Sequence, residues 1–272
     1  MAIELITKYA TAVDELFKAE SKRQLVTNTD YDFINAHTVK IYKVTTAKMN
    51  DYNRAGTSNN YGEPETLEAT TEQFTLSRDR SFTYVLDRLD ADETGNALNA
   101  TTSLARQLRE VVIPEIDTWI YKTMSEQAGT TATATLTSDN IYNEILTASE
   151  VLDNAEVPEQ ERCIIVTPSI YTMMKQNSSI VMQTEAGAET RNNGVVAMLD
   201  GISVIKVPSN RLPEKCGFIV CHKSATVAPY KLEDYKAHDN PPGINGYLCE
   251  GRFVYDAKVL DNKAMGVYYH TV

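Results

Sequence analysis

Residues 73–86 read QFTLSRDRSFTYVL, a stretch in which aromatic and β-branched side chains alternate with polar ones. Such alternation predicts a strand, and side chains two residues apart then share one face, which groups Arg78 and Arg80 with Phe82 and Tyr84. The fourteen residues are more than twice the usual strand length, and at about 3.4 Å per residue they reach roughly 45 Å. A strand of that length is expected to extend beyond its parent domain.

A second strand and a long polar connection precede this stretch. Residues 37–44 read HTVKIYKV, a β-branched and aromatic run that predicts the other strand of a hairpin. Residues 46–70 between the two strands contain few apolar side chains, and Gly56, Gly62 and Pro64 interrupt them. Because a polar loop of about twenty-five residues is uncommon inside a compact domain, we predict a projecting hairpin that lies across a partner subunit. A disordered surface loop is the alternative.

Charged and aromatic side chains of this hairpin are candidate contacts with a neighbouring subunit. The predicted contact residues are Tyr52, Arg54, Tyr61, Glu63, Glu65, Arg78 and Arg80. The two arginines on one strand face and the glutamates that approach them favour ion pairs between subunits. The alternative is a solvated edge that is kept charged to prevent uncontrolled strand pairing.

One long helix is predicted directly after the hairpin. Apolar residues recur at three- and four-residue steps over 92–128, which is typical of an amphipathic helix. Asp92 and Glu93 suit its N-terminus, and Gly129 ends it. At 1.5 Å per residue, roughly thirty-five residues span about 50 Å. We expect Pro114 to kink the helix, because proline removes one hydrogen bond and crowds the carbonyl four residues earlier.

The flanking segments are shorter. Before the hairpin, the apolar spacing permits a short amphipathic helix over 8–18. After the long helix, a compact α/β unit is predicted from a helix over 139–154, strands at 163–166, 202–207 and 218–221, and a helix that begins at Thr167-Pro168. Residues 247–255 and 259–269 are expected to form closing strands.

Composition and charge exclude several function classes. The 272 residues carry a net charge of −11, which argues against a sequence-independent phosphate binder with a basic face, although a local basic patch stays open. No apolar run approaches the eighteen residues of a membrane span, and no signal peptide is visible at the start. Four scattered cysteines are too few for a disulfide framework, so we expect reduced thiols in a cytoplasm.

No motif predicts an enzyme, a cofactor or a metal. Asp90 to Gly95 resemble the first half of a calcium loop, but the twelfth position, which requires a bidentate glutamate, is Thr101. The cysteines nearest His222 lack the paired spacing of a structural zinc site. The sequence therefore predicts no catalytic, cofactor-binding or metal-binding residues.

The order of the segments resembles the major capsid protein of tailed bacteriophages, which has the Hong Kong 97 fold. Four segments resemble capsid proteins of phages and prophages of Firmicutes-type hosts: residues 87–94, 110–117, 231–246 and 255–263. The resemblance covers nearly the whole chain. Its motifs are structural, so they specify a family and no chemistry.

The resemblance implies an α+β fold with named parts. Those parts are an N-terminal arm (1–30), an extended loop hairpin (31–88), a spine helix of the peripheral domain (89–128), an α/β axial domain (129–235) and closing strands of the peripheral domain (236–272).

The resemblance also implies a function. Copies of the chain would form hexamers and pentamers that tile an icosahedral head, with portal and scaffolding proteins as partners and no membrane. The head would enclose double-stranded DNA without sequence-specific binding, and it would be assembled in the host cytoplasm and found in the virion. Two alternatives stay open. One is an encapsulin-type nanocompartment shell, and the other is a small α/β enzyme with its site at the ends of strands 163–166 and 202–207.

Overall fold

The computed structural model describes residues 20–29, 31–33, 38–55, 59–93, 100–177, 179–180 and 195–272. The chain divides into two compact units. The hairpin unit is Asp30–Leu76, and the main unit is Ser77–Val272 together with the chain up to Thr29. The helix predicted over 8–18 lies outside the described residues.

Within the described ranges, the strands and helices are as follows. The strands are β1 (Asp32–Phe33), β2 (Thr38–Val44), β3 (Ala69–Thr75), β4 (Arg78–Asp87), β5 (Thr130–Thr133), β6 (Arg162–Val166), β7 (Val195–Leu199), β8 (Ile202–Lys206), β9 (Cys216–His222), β10 (Thr226–Val227), β11 (Tyr230–Asp239), β12 (Gly246–Tyr255), β13 (Lys258–Val259) and β14 (Val267–Thr271). The α-helices are α1 (Arg23–Val26), α2 (Arg88–Glu93), α3 (Ala100–Gln107), α4 (Ile113–Glu126), α5 (Ile141–Asn154) and α6 (Pro168–Gln176). None of the described helices is long and apolar enough to cross a membrane.

The hairpin unit is built on an antiparallel sheet of β1, β2 and β3. Thr38 pairs with Thr75 at one end of the β2–β3 ladder and Val44 with Ala69 at the other, which confirms that the strand predicted over 37–44 pairs in a hairpin. Val39 is fully buried, whereas most other side chains of β2 and β3 are partly or fully exposed. A sheet with so little buried apolar surface gains little stability from its own packing.

The predicted fourteen-residue strand over 73–86 is wrong. Its first part belongs to β3 in the hairpin unit, and its second part belongs to β4 in a different sheet of the main unit. The Ser77 N–H donates to the Asp256 carboxylate at 2.8 Å, so it is not available to extend the ladder of β3. The face predicted for the later residues holds within β4, where Phe82, Tyr84 and Leu86 are the less exposed side chains.

The main unit centres on a mixed sheet whose six described strands have the order β5-β14-β9-β6-β8-β7. The strand predicted at 163–166 lies inside it as β6, and all of its residues are buried. Because side chains alternate along a strand, Cys163 and Ile165 face a layer that includes α4, while Ile164 and Val166 face α5 and α6. The sheet is therefore covered by helices on both sides, as expected for an α/β unit.

The predicted long helix is confirmed in part and differs at Pro114. Residues 94–99 of the predicted range lie outside the described residues, and the helix is continuous from Ala100 to Glu126. Instead of a simple kink, a five-residue π-helix, Leu108–Val112, separates α3 from α4 just before Pro114. Proline cannot donate to the carbonyl of Glu110 and would crowd it, and the wider π turn relieves that conflict.

Residues 236–272, predicted as one group of closing strands, are divided among three sheets, and β13 pairs with β10 in the smallest of them. β12 pairs along its whole length with β4 and with β11 in a three-stranded antiparallel sheet. β14 instead lies between β5 and β9 in the large sheet. The closing strand predicted over 259–269 is interrupted by a 3₁₀ helix, Asp261–Gly266, which lies between β13 and β14.

Candidate functional site

The loop of the hairpin unit continues its pairing beyond the two strands. The Thr45 N–H donates to the Glu68 carbonyl at 3.0 Å, and the Glu68 N–H donates to Thr45 Oγ1 at 2.9 Å. Farther along the loop, the Asn53 N–H donates to the Asn60 carbonyl at 3.0 Å. Backbone hydrogen bonds therefore connect the two sides of this long connection at two levels.

Two of the predicted contact residues meet at the second level. The rings of Tyr52 and Tyr61 lie edge to face, with centroids 4.9 Å apart, an arrangement that aromatic pairs prefer. Tyr61 is nevertheless 82% exposed. Beside it Gly62 has a φ of +88°, and a Cβ there would lie 2.5 Å from the Asn50 amide nitrogen, so both conformation and space require glycine.

The predicted acidic contacts have partners inside the same loop. Glu63 Oε1 accepts from Asn59 Nδ2 at 2.7 Å, and Glu65 Oε2 accepts from the Lys48 N–H at 3.3 Å. Arg54 lies in a turn and is exposed. These bonds hold the loop in shape and leave much of each carboxylate in solvent.

Arg78 and Arg80 belong to the main unit, on β4, whereas the other five predicted residues belong to the hairpin unit. Arg80 Nε donates to Glu115 Oε1 at 2.8 Å, and the guanidinium of Arg78 lies 3.7 Å from the ring centroid of Trp119. Both arginines therefore have partners on α4 of their own chain. The predicted ion pairs with glutamates of another subunit stay a prediction.

A network around the start of β4 was missed from the sequence. Asp256 accepts hydrogen bonds from Trp119 Nε1 at 2.9 Å and from the Ser77 N–H at 2.8 Å. The Tyr255 hydroxyl donates to Glu115 Oε1 at 2.9 Å, and burial together with this bond raises the pKa of Tyr255 to about 12. The signal in the sequence was slight: Trp119 is the single tryptophan.

A buried ion pair anchors the N-terminal segment to α4. Arg211 Nη1 lies 2.9 Å from Asp117 Oδ2, and Ser21 Oγ donates to the other carboxylate oxygen at 2.7 Å. Asp117 is 0% exposed and Arg211 is 3% exposed. Removing one partner of such a pair typically costs about 3–5 kcal/mol, because the other charge stays buried.

Apolar side chains stand exposed on the hairpin unit. Met49 is 98% exposed, and the others that are large and at least half exposed are Tyr42, Val44, Tyr52, Tyr61 and Leu67. Scattered exposed apolar residues are normal on a protein surface, but six of them on one small unit are typical of an interaction surface.

The groups that could carry chemistry have structural roles. Burial raises the pKa of the Cys163 thiol to about 11, which disfavours the reactive thiolate. Thr167, which follows β6, accepts from the Ile170 N–H at 3.3 Å and caps α6. His222 Nδ1 accepts from the Ser224 N–H at 3.2 Å and caps a 3₁₀ turn. Over the described part of the chain, no three His, Cys, Asp or Glu side chains are grouped so as to hold a metal ion.

Comparison with known proteins gives the fold. No family model matches the chain, and no curated protein matches it. A solved chain of Mycobacterium phage Che8 has a TM-score of 0.72 at 19% identity, over 97% of this chain and 96% of that one. A chain of the capsid structure of cyanophage P-SCSP1u has a TM-score of 0.74 at 15% identity, over 98% and 92%.

A third solved chain, from the capsid of Ralstonia phage GP4, has a TM-score of 0.67 at 13% identity, over 97% of this chain and 94% of that one. The three phages named give no support to the expected Firmicutes-type host. The mixed α/β fold of this chain matches the fold of chains from bacteriophage capsids over almost the full length of both.

Proposed function

We propose that this chain is the major capsid protein of a tailed bacteriophage. Copies self-assemble as hexamers and pentamers into an icosahedral head of the Hong Kong 97 type, which encloses double-stranded DNA. A portal and a scaffolding protein act with it, and assembly takes place in the host cytoplasm. The observation that carries the proposal is the agreement of fold with phage capsid chains over at least 97% of this chain.

The exposed apolar side chains of the hairpin unit support self-assembly. Burying a large apolar side chain contributes about 1.5–3 kcal/mol, and the hairpin unit leaves several of them in solvent. A second copy of the chain is the occupant we assign, because identical subunits in a closed assembly present the same surfaces to one another. In this proposal Tyr52, Arg54 and Tyr61 contact the neighbour directly.

The proposal also divides the chain into the parts that the resemblance to capsid proteins implies. The boundaries proposed are an arm over 1–30, a hairpin over 31–88, a spine helix over 89–128, an axial domain over 129–235 and closing strands over 236–272. Glu63 and Glu65 form part of the contact. Arg78 and Arg80 also contact the neighbouring subunit in this proposal, while their partners on α4 hold them in place.

Shortening the hairpin tests the proposal. Replacing residues 46–67 by Asn-Gly keeps the Thr45–Glu68 pair and closes it with a two-residue turn that suits a hairpin. We expect a folded subunit, with unchanged circular dichroism and unchanged emission of Trp119, that no longer forms shells by negative-stain electron microscopy.

The control keeps the loop at full length. Ala47→Ser with Thr66→Ser changes two exposed positions conservatively and is expected to give shells like the wild type. Shells of normal size from the shortened variant would show that the hairpin does not carry assembly. Wild-type particles that hold a protein cargo and no nuclease-protected DNA, isolated from infected cells, would favour a nanocompartment instead.

A further inference from the structure

Lysines cluster around one tyrosine in a chain that is otherwise acidic. Lys175 Nζ lies 5.7 Å and Lys206 Nζ 5.4 Å from the ring centroid of Tyr171. Lys22 Nζ donates to the carbonyl of Lys206 at 3.1 Å, which brings a third ammonium group to the same place. We call Lys22, Tyr171, Lys175 and Lys206 the Tyr171 patch.

Secondary structure positions these side chains. Tyr171 and Lys175 are four residues apart on α6, so they lie one above the other on one helix face. Lys206 is the last residue of β8, and Lys22 precedes α1. Cation–π attraction holds the ammonium groups of Lys175 and Lys206 near the ring before any ligand arrives.

The local electrostatics favour an anion. Burial lowers the pKa of Lys22, the positive charges of Lys206 and Arg211 lower it further, and the nearby Glu20 carboxylate opposes them. Arg211 has Asp117 as its partner. Within the part of the chain that the structure describes, neither Lys175 nor Lys206 forms an ion pair with a carboxylate. The ammonium group of each lies near the ring of Tyr171 instead.

We infer that the Tyr171 patch contacts the phosphate backbone of double-stranded DNA, independently of sequence. The inference rests on the proposed function, and it implies that the patch faces the inside of the shell. Lysine ammonium groups bind phosphate oxygens as point charges, and contacts to the phosphate backbone read no base sequence. The net charge of −11 repels DNA elsewhere, so contact is confined to this patch and stays weak.

The test measures binding of a fluorescein-labelled 20-base-pair duplex to the purified full chain by anisotropy, over a range of salt concentrations from about 20 mM upward. Each phosphate contact contributes about −0.9 to the slope of log K against log salt concentration. Lys175→Gln with Lys206→Gln is therefore expected to reduce the slope by about 2 and to lower the affinity at low salt at least about tenfold.

The matched control makes the same change of charge elsewhere. Lys215 and Lys263 are both exposed and lie outside the patch, and Lys215→Gln with Lys263→Gln is expected to change the affinity less than about twofold. Circular dichroism and the emission of Trp119 check that every variant is folded. Equal losses in the two double variants, or a wild type that binds no duplex at the lowest salt, would overturn the inference.

Two further probes separate the sources of the anion. Inorganic phosphate at matched ionic strength is expected to compete poorly with the duplex, and equal competition would assign the patch to a small free anion. Poly-glutamate is expected to bind much more weakly than the duplex. Patch-dependent binding of poly-glutamate at equal strength would make the patch a docking surface for an acidic protein segment and would overturn the DNA assignment.

Assembly is measured in parallel by electron microscopy, so that a failure of the DNA-contact inference can be distinguished from a failure of the proposed capsid function. Shells that form while duplex binding does not depend on the patch would refute this inference and leave the capsid function intact. A wild-type chain that forms no shells with or without its scaffold would refute the capsid function, whatever the binding result.

Discussion

His270 couples the stability of the main unit to pH through a single buried ring. It is 0% exposed, its ring stacks on Phe218 with centroids 4.7 Å apart, and Nε2 lies 3.5 Å from Glu144 Oε2. Burial lowers the pKa of His270 below its ordinary value, and the nearby Glu144 carboxylate opposes this only in part. Below the pKa of the unfolded chain, about 6.5, the unfolded state therefore binds a proton that the folded state does not.

The stability that His270 provides is thus present above about pH 6.5 and is lost as the pH falls. We expect His270→Gln to make the unfolding free energy less dependent on pH between pH 7.5 and 5.5. Urea unfolding at the two pH values measures it. His238→Gln, at an exposed position, is the control and should keep the wild-type difference. An unchanged pH dependence in the His270 variant would contradict this account.

Side-chain partners were the part of the candidate site that the sequence could not supply. Arg80 finds Glu115 across a separation of 35 residues, and nothing in a single sequence prefers Glu115 to Glu110 as its partner. The choice depends on the rotation of α4 about its axis. Since the π-helix inserts an extra residue into the turn before Pro114, it shifts that rotation by about 100° relative to a regular helix.

Among the elements, the joint between β4, α4 and β12 depends on the carboxylate of Asp256. It accepts from Ser77 at the start of β4 and from Trp119 on α4, and it follows the last residue of β12. We expect Asp256→Ala to lower the unfolding free energy by about 1–3 kcal/mol, because it leaves the Trp119 N–H without its acceptor. The emission of the single tryptophan should shift, which reports the local change directly.

The control variant is Asp261→Ala, which removes an exposed carboxylate 3.8 Å from Lys258. It is expected to lower the unfolding free energy by less than about 0.5 kcal/mol. If both variants unfold at the same denaturant concentration, Asp256 does not hold the joint.

Sequence patterns were sufficient to predict elements whose boundaries depend on nearby residues. They were insufficient where a contact with a distant part of the chain determines the boundary. The first hairpin strand, β2, and the end of the long helix near Gly129 follow from the alternation and the helical periodicity of the sequence. The break between β3 and β4 does not, because the alternation in the sequence continues through Leu76 and Ser77. The Ser77 N–H is instead bound by a carboxylate 179 residues away.

For the whole molecule, assembly should change the accessibility of the hairpin unit. Lys48 and Arg54 are exposed trypsin sites in its loop. We expect rapid cleavage after these residues in the free subunit, and cleavage at least about tenfold slower in assembled shells, where a neighbour covers the loop. Mass spectrometry of timed digests measures both rates. Cleavage after Lys231 on β11 gives a reference, and loop cleavage that is equally fast in shells and free subunits would show that the loop is not covered.

The position of β14 inside the large sheet has a consequence for synthesis. The ribosome makes β14 after every other described strand of that sheet. β14 nevertheless lies between β5 and β9 and pairs with both, so it connects β5 to the rest of the sheet. Until β14 has left the ribosome, β5 has no described partner strand, and about 130 residues separate the two strands. A nascent chain therefore cannot complete this sheet before β14 has been translated.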